Sequence, residues 1–358
     1  MASIDRRTLL KAGLATSGGF ALAVGTGAGA PAVAAPRVSR TLASNLAVPW
    51  GLAFLPNGNA LVGERDSGDV HVVRRGGGRR RVGSLDVFSQ LSRAGESGLL
   101  GLAVHPGFAR NRLVYAYLST SNDNRIVRMR FADGKLGASH VVLTGIPMNV
   151  HHNGGGLVFG PDGLLYASTG DGEVGSRAQS RTSLGGKVLR LTADGEVPSD
   201  NPFDNYTWSM GHRNVEGITF DARGTLWASE FGEKEADELN QIEAGANYGW
   251  PRVEGSDGAG GFRDPLAQWS PTAVCSPAGV AVANSRAWLG ALRGECLYSV
   301  TLRGPDSGVK RRHFHGRFGR IRQVMTAPDG SLWITTSNRD GRGAPGAKDD
   351  KVIKITLS

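Results

Sequence analysis

The chain has 358 residues, 53 of them glycine, with 20% charged and 40% hydrophobic residues and a formal net charge of +9. That length supports one large domain with a buried core or two smaller ones, and so much glycine excludes a helical bundle in favour of many short strands joined by tight turns. The basic residues are mostly scattered arginines without a nucleic-acid-binding motif or an aromatic-interleaved basic patch, so the charge does not point to a nucleic-acid partner.

The first element is a targeting segment. Arg6 and Arg7 form a pair, a mild Gly/Ala-rich apolar stretch follows over residues 12–29, and Ala32-Val33-Ala34 is a small-x-small cleavage site. This is the layout of a twin-arginine export signal over residues 1–34. A disordered basic tail or a membrane anchor are the alternatives. The glycine content speaks against an anchor, and no later segment is apolar enough to span a bilayer. The expected product begins at Ala35 and is periplasmic, cell-surface or secreted, with a net charge of +7 once Arg6, Arg7, Lys11 and Asp5 are removed.

Six segments of the remaining chain can be laid over one another, beginning at Gly51, Gly101, Gly156, Gly217, Gly279 and Gln323. Each has a short apolar strand, a turn rich in Pro, Asp, Asn or Gly, and a second alternating strand. Repeats of strand-turn-strand at this period are the signature of propeller blades, so an all-β, six-bladed β-propeller over residues 35–358 is expected. A sandwich would not repeat one turn at this period. The last strand, from Lys351, should pair with the segment from Arg37 to Ala47 and close the ring. The dense basic run Arg74, Arg75, Arg79, Arg80 and Arg81 is split by three glycines and reads as a solvated hairpin loop.

In a blade the first strand lines the central channel, and its entry shares one face with the loop after the second strand. The polar residues at those two places, in chain order, are Glu96, His151-His152-Asn153, Asp171, Arg213-Asn214, the run from Glu230 to Glu238, Arg293, Arg320 with Arg322, and Asn338-Arg339. A mouth carrying Arg213, Arg293, Arg320 and Arg322 suits a planar, polyanionic ligand, because guanidinium forks bind carboxylates and stack on flat rings. The competing reading pairs several of these arginines with Asp or Glu inside the blades. An imidazole beside them, at His151 or His152, can act as a general base near neutral pH. The carboxylates from Glu230 to Glu238 serve equally as a calcium-binding segment or as a solvated acidic loop. Cys275 and Cys296 occupy the same two places within one blade and could form a disulfide outside the cytoplasm; two buried thiols are the alternative.

The chain resembles the soluble pyrroloquinoline quinone (PQQ)-dependent aldose sugar dehydrogenases, which are related to soluble glucose dehydrogenase. The matching pieces are Gly98-Leu-Leu-Gly-Leu-Ala-Val-His-Pro106, His152-Asn-Gly-Gly-Gly-Leu-Val-Phe-Gly160, Gly211-His-Arg-Asn214, Asp237-Glu-Leu-Asn240, Ala246-Asn-Tyr-Gly-Trp-Pro251 and Gly319-Arg-Ile-Arg322. They cover essentially all of the chain after the signal, in the same order. The resemblance implies oxidation of aldoses at C1 to lactones, with PQQ and calcium as cofactors and an external quinone or cytochrome as electron acceptor. It implies His152 as the base, Arg213 beside the quinone oxygen, and Asn214, Thr272, Arg293, Arg320 and Arg322 as cofactor contacts. One calcium would use the carbonyls of Gly232 and Glu233, and a second would use Glu238 and the carbonyl of Tyr248. Glu96 stands at a substrate position where the glucose enzyme has Gln. Arg293 stands where that enzyme has Lys, His151 where it has Asp, and Gly156 where it has Arg. Its long inter-blade insertions are absent, which implies a more open site and a monomer. A calcium-dependent lactonase would instead need several carboxylates around one central metal and no arginine cluster. A propeller that only binds glycan or protein would be expected to lose the base or the arginines.

Overall fold

The computed structural model describes residues 35–90, 95–256 and 260–357; the predicted signal, residues 1–34, lies outside the described residues. Four of the six repeat units turn between their first two strands in the same way. Gly58, Gly163, Gly224 and Gly330 have φ of 80, 78, 79 and 78°. Their N–H groups donate to the carbonyls of Leu55, Gly160, Asp221 and Ala327 at 2.9–3.0 Å. A left-handed residue closing such a turn is strained for any side chain with a Cβ, which explains the recurring glycine. The fifth unit reverses at Asn284 and Ser285, with φ of 50 and 59°.

Residues 35–358 form one compact unit. The described strands assemble into six antiparallel sheets of four principal strands each, one per repeat. The blades span residues 49–84, 99–146, 157–210, 215–269, 277–313 and 321–356, and the first strand of each is at one end of its sheet. Arg37–Ala43 pairs antiparallel with Val352–Thr356, from Arg37 opposite Thr356 to Ala43 opposite Val352. The N-terminal strand is therefore the outer strand of the last blade, and it closes the ring as expected. Beyond it, Leu46 and Asp350 exchange backbone hydrogen bonds at 2.9 and 3.1 Å.

Six apolar clusters hold the ring together, one between each neighbouring pair of blades. Leu61 and Val82 of blade 1 meet Leu102 and Leu118 of blade 2 in one of them. Trp333 and Val352 of blade 6 meet Leu52 and Val62 of blade 1 in another. Each blade is covered on both faces, so strands such as Ala60–Glu64 and Leu332–Thr336 are buried along their whole length. Trp227, Trp288 and Trp333 occupy corresponding second strands and are among the largest fully buried side chains.

Asp221 organises the turn of blade 4. Its carboxylate accepts the N–H groups of Arg223 at 2.8 Å and Thr225 at 3.0 Å and the Trp227 indole at 3.1 Å, and it pairs with Arg303 at 2.6 Å. Burial opposes its charge, but these donors outweigh that and bring its pKa down to about 2. The unfolded carboxyl titrates near 3.9, so this contribution is complete above that pH and is lost as pH falls toward 2. Asp221→Asn is expected to flatten the acid limb of the Tm–pH profile between about pH 4 and 2. An acid limb identical to wild type would locate the sensitivity elsewhere.

Candidate active site

The loops before the inner strands and after the second strands frame a cavity of about 510 Å³ at one mouth of the ring. Eight of the site residues that the resemblance implies line it: Glu96, His152, Arg213, Gly232, Glu233, Thr272, Arg293 and Arg320. His151, Asp237 and Arg342 join them.

His152 has a left-handed backbone, φ 59°, which a non-glycine residue keeps only when its surroundings impose it. Two contacts do so. Its N–H donates to Glu96 Oε2 at 3.0 Å, and its Nδ1 lies 2.7 Å from Asp171 Oδ1. Asp171 is 1% exposed, and it also accepts the Trp250 indole at 2.8 Å and the Glu173 N–H at 2.8 Å. Burial works to raise the Asp171 pKa, yet the bonds from His152, Trp250 and Glu173 hold it below the usual value. An ionised Asp171 accepts a hydrogen bond from Nδ1–H and so leaves Nε2 as the acceptor nitrogen. The neighbouring His151 turns to Glu173 instead, with Nδ1 2.9 Å from Oε1.

The four arginines divide into two pairs. Arg320 Nε donates to Asp340 Oδ2 at 2.9 Å, and Arg322 Nη1 donates to Glu216 Oε2 at 2.8 Å, so the ion-paired reading holds for these two. Arg322 is 3% exposed and lies over the Trp50 ring at 5.9 Å. Asn214 is fully buried; its side chain accepts the Gly154 N–H at 2.9 Å and donates to Glu216 at 3.3 Å. Neither Arg322 nor Asn214 lines the cavity. Burial, reinforced by the Glu96 charge and opposed by Arg322, raises the Glu216 pKa to about 7. Arg213 rests over the Trp250 ring at 5.4 Å and gives Nη1 to the Phe231 carbonyl at 3.3 Å, while its buried Nε has no partner among the described residues. Arg293 is exposed and forms no ion pair with a described carboxylate. Together Arg213 and Arg293 leave positive charge for an anionic, flat ligand, and Arg213 already stacks on a ring.

The loop after Glu230 is shaped by Glu254, whose Oε1 accepts the N–H groups of Lys234, Glu235 and Ala236 at 2.8–3.0 Å. The Gly232 and Glu233 carbonyls accept no hydrogen bond from described residues. Beside them Asp237 accepts the N–H groups of Gly232 at 3.1 Å and Ser276 at 2.7 Å. Unclaimed carbonyl oxygens next to a carboxylate suit a hard cation. Behind this loop Glu230 and Glu238 face each other across paired strands, and Asn240 donates to both. Burial and the Glu230 charge raise the Glu238 pKa to about 8. The Tyr248 ring stacks on His212 at 4.6 Å, and His212 in turn bonds Glu230 at 2.8 Å.

The bridge expected between Cys275 and Cys296 is not formed; both are free, buried thiols. They lie in the apolar cluster with Trp269 and Leu289. Burial pushes the Cys275 thiol well above its ordinary value and Cys296 up to about 12.

Sequence reasoning placed Asp171 at the mouth without a role and missed Trp250, Glu216, Asp340 and Arg342. Trp250 had a signal, since it lies in the Ala246–Pro251 motif. Asp340 and Arg342 sit in a stretch, Asn338 to Gly346, that reads only as a polar loop.

Residues 46–345 match the glucose/sorbosone dehydrogenase family. The PQQ-bound aldose sugar dehydrogenase of Streptomyces coelicolor superposes with a TM-score of 0.86 at 44% identity, covering 90% of this chain and 98% of that one. The aldose sugar dehydrogenase YliI of Escherichia coli is 30% identical over 82% of this chain and 88% of its own length. Quinoprotein glucose dehydrogenase B of Acinetobacter calcoaceticus is 30% identical over 70% of this chain and 62% of its own length.

Proposed function

The chain belongs to the glucose/sorbosone dehydrogenase family, and on that premise we propose that it is a PQQ- and calcium-dependent enzyme that oxidises aldoses at C1 to lactones. The observation that carries this reading is the His152–Asp171 pair, 2.7 Å apart, at an arginine-bearing cavity. His152 Nε2 would take the proton of the C1 hydroxyl, with Asp171 fixing the ring and stabilising the imidazolium. PQQ, when bound, would supply the hydride acceptor, and calcium would supply Lewis-acid polarisation. Arg213, with its unpartnered Nε, and the exposed Arg293 would hold an anionic cofactor, and Arg320 and Thr272 line the same wall. Asn214 and Arg322 would act from beneath, by shaping the floor. Gly232 and Glu233 would supply carbonyls to one calcium, and Glu238 with the Tyr248 carbonyl would hold a second.

A lactonase-like central metal is disfavoured because Glu96, Glu216 and Asp340 each already engage an arginine. No helix of the described residues is long and apolar enough to cross a membrane. Arg6-Arg7 and Ala32-Val33-Ala34 support export by the twin-arginine route, and a monomer passing electrons to an external acceptor completes the proposal. The test is dye reduction by the protein from Ala35, with PQQ and calcium added, across a panel of aldoses. Sugar-dependent reduction that needs PQQ is expected; none with any aldose would sink the reading.

A further inference from the structure

One loop of blade 6 brings two charged side chains to the mouth. Asp340 holds Arg320 and Arg322, at 2.9 and 3.7 Å. Two residues on, Arg342 crosses the ring to blade 2, where its Nη1 lies 3.1 Å from Glu96 Oε1. The loop is tightly built for this. Gly341 is left-handed at φ 87°, and the Arg342 N–H donates to Asp340 Oδ1 at 3.0 Å. At Gly343 a Cβ would lie 2.6 Å from the Asn338 carbonyl and 2.9 Å from Arg320 Cδ.

Glu96 is thereby held at both oxygens, Oε1 by Arg342 and Oε2 by the His152 N–H. It is only 9% exposed and lines the same cavity as His152. A carboxyl so buried would otherwise favour its neutral form. The Arg342 charge and bond, together with the His152 N–H, overcome that burial and keep its pKa below the usual value. Among the described residues, Arg320 and Asp340 are further charged groups near Arg342.

We propose that Arg342 is a positioning residue that fixes Glu96 as an ionised acceptor for a sugar hydroxyl, and so sets the affinity of the enzyme for its aldose. The substrate role rests on the sugar-dehydrogenase reading above. An ionised acceptor makes a shorter and stronger hydrogen bond to a hydroxyl than a neutral one. A site built around such a bond also discriminates against sugars that lack the hydroxyl.

The test uses the holoenzyme and four variants: Arg342→Gln, Arg342→Lys, Glu96→Gln, and Glu96→Gln with Arg342→Gln. Loss of one charge-assisted bond predicts a KM for aldose about tenfold higher in Arg342→Gln, with kcat changed less than about threefold. Arg342→Lys should recover most of the loss, and Arg342→Gln should add nothing in the Glu96→Gln background. An unchanged KM, or the same loss in both backgrounds, overturns the proposal. A second readout needs neither cofactor nor sugar. The His152 amide should exchange roughly tenfold faster in Arg342→Gln than in wild type, because its acceptor is no longer held. Unchanged exchange means that Arg342 does not fix Glu96. Wild-type protein without sugar turnover overturns the functional reading and the substrate role with it, while the exchange rates decide the Arg342–Glu96 contact separately.

Discussion

His152→Asn is expected to lower kcat for aldose oxidation by about 10²- to 10⁴-fold, the range for loss of a positioned general base. Asn is the informative replacement. Position 152 is left-handed, and Asn tolerates that conformation better than most residues while offering no basic nitrogen. Its backbone N–H can still donate to Glu96, so the wall of the cavity should persist. PQQ affinity should then change by less than about threefold, since Arg213 and Arg293, the groups proposed to hold the anionic cofactor, are untouched. Asp171→Asn tests the other half of the pair. It keeps the shape but removes the charge that sets the Nδ1–H tautomer, so kcat should fall and its dependence on pH should move. A His152→Asn enzyme with near wild-type kcat would place the base elsewhere.

The fold was legible because its information is local. Four units carry a glycine where the turn needs positive φ, and the apolar runs on either side mark strands buried on both faces. The closing strand pair was legible too: one unassigned segment remained at each end of the repeat array, Arg37–Ala43 and Val352–Thr356. Register then placed eight candidate residues around one cavity. What could not be read is pairing over long separations. Arg342 and Glu96 are 246 residues apart in the chain, and Arg322 and Glu216 are 106 apart. Which arginines remain open to a ligand depends on those partners, so a list of arginines at the mouth does not distinguish Arg293 from Arg322. The cysteines show the same limit. Their shared blade was visible, while their burial depends on Trp269 and Leu289 packing around them.

Removing calcium is expected to weaken PQQ binding by at least about tenfold, equivalent to about 1.4 kcal/mol. The Gly232–Glu238 side of the site is built from groups that do not favour an anionic ligand unaided. Asp237 sits on the cavity wall, and Glu230 and Glu238 stand behind it in facing strands. The unclaimed carbonyls of Gly232 and Glu233 add negative dipole to the same side. A divalent cation there would reverse the local field and leave Arg213 and Arg293 to complete the clamp. Magnesium should substitute poorly, since it demands tighter octahedral geometry than a loop of carbonyls readily supplies.

Titration of PQQ into chelator-treated protein, with and without added calcium, therefore tests the account most directly. Binding is read from the cofactor's absorbance and from the unfolding midpoint of the protein. The account predicts one PQQ per chain with calcium present, at least about tenfold weaker binding without it, and further weakening in Arg293→Ala. Absence of PQQ binding in the presence of calcium would contradict it.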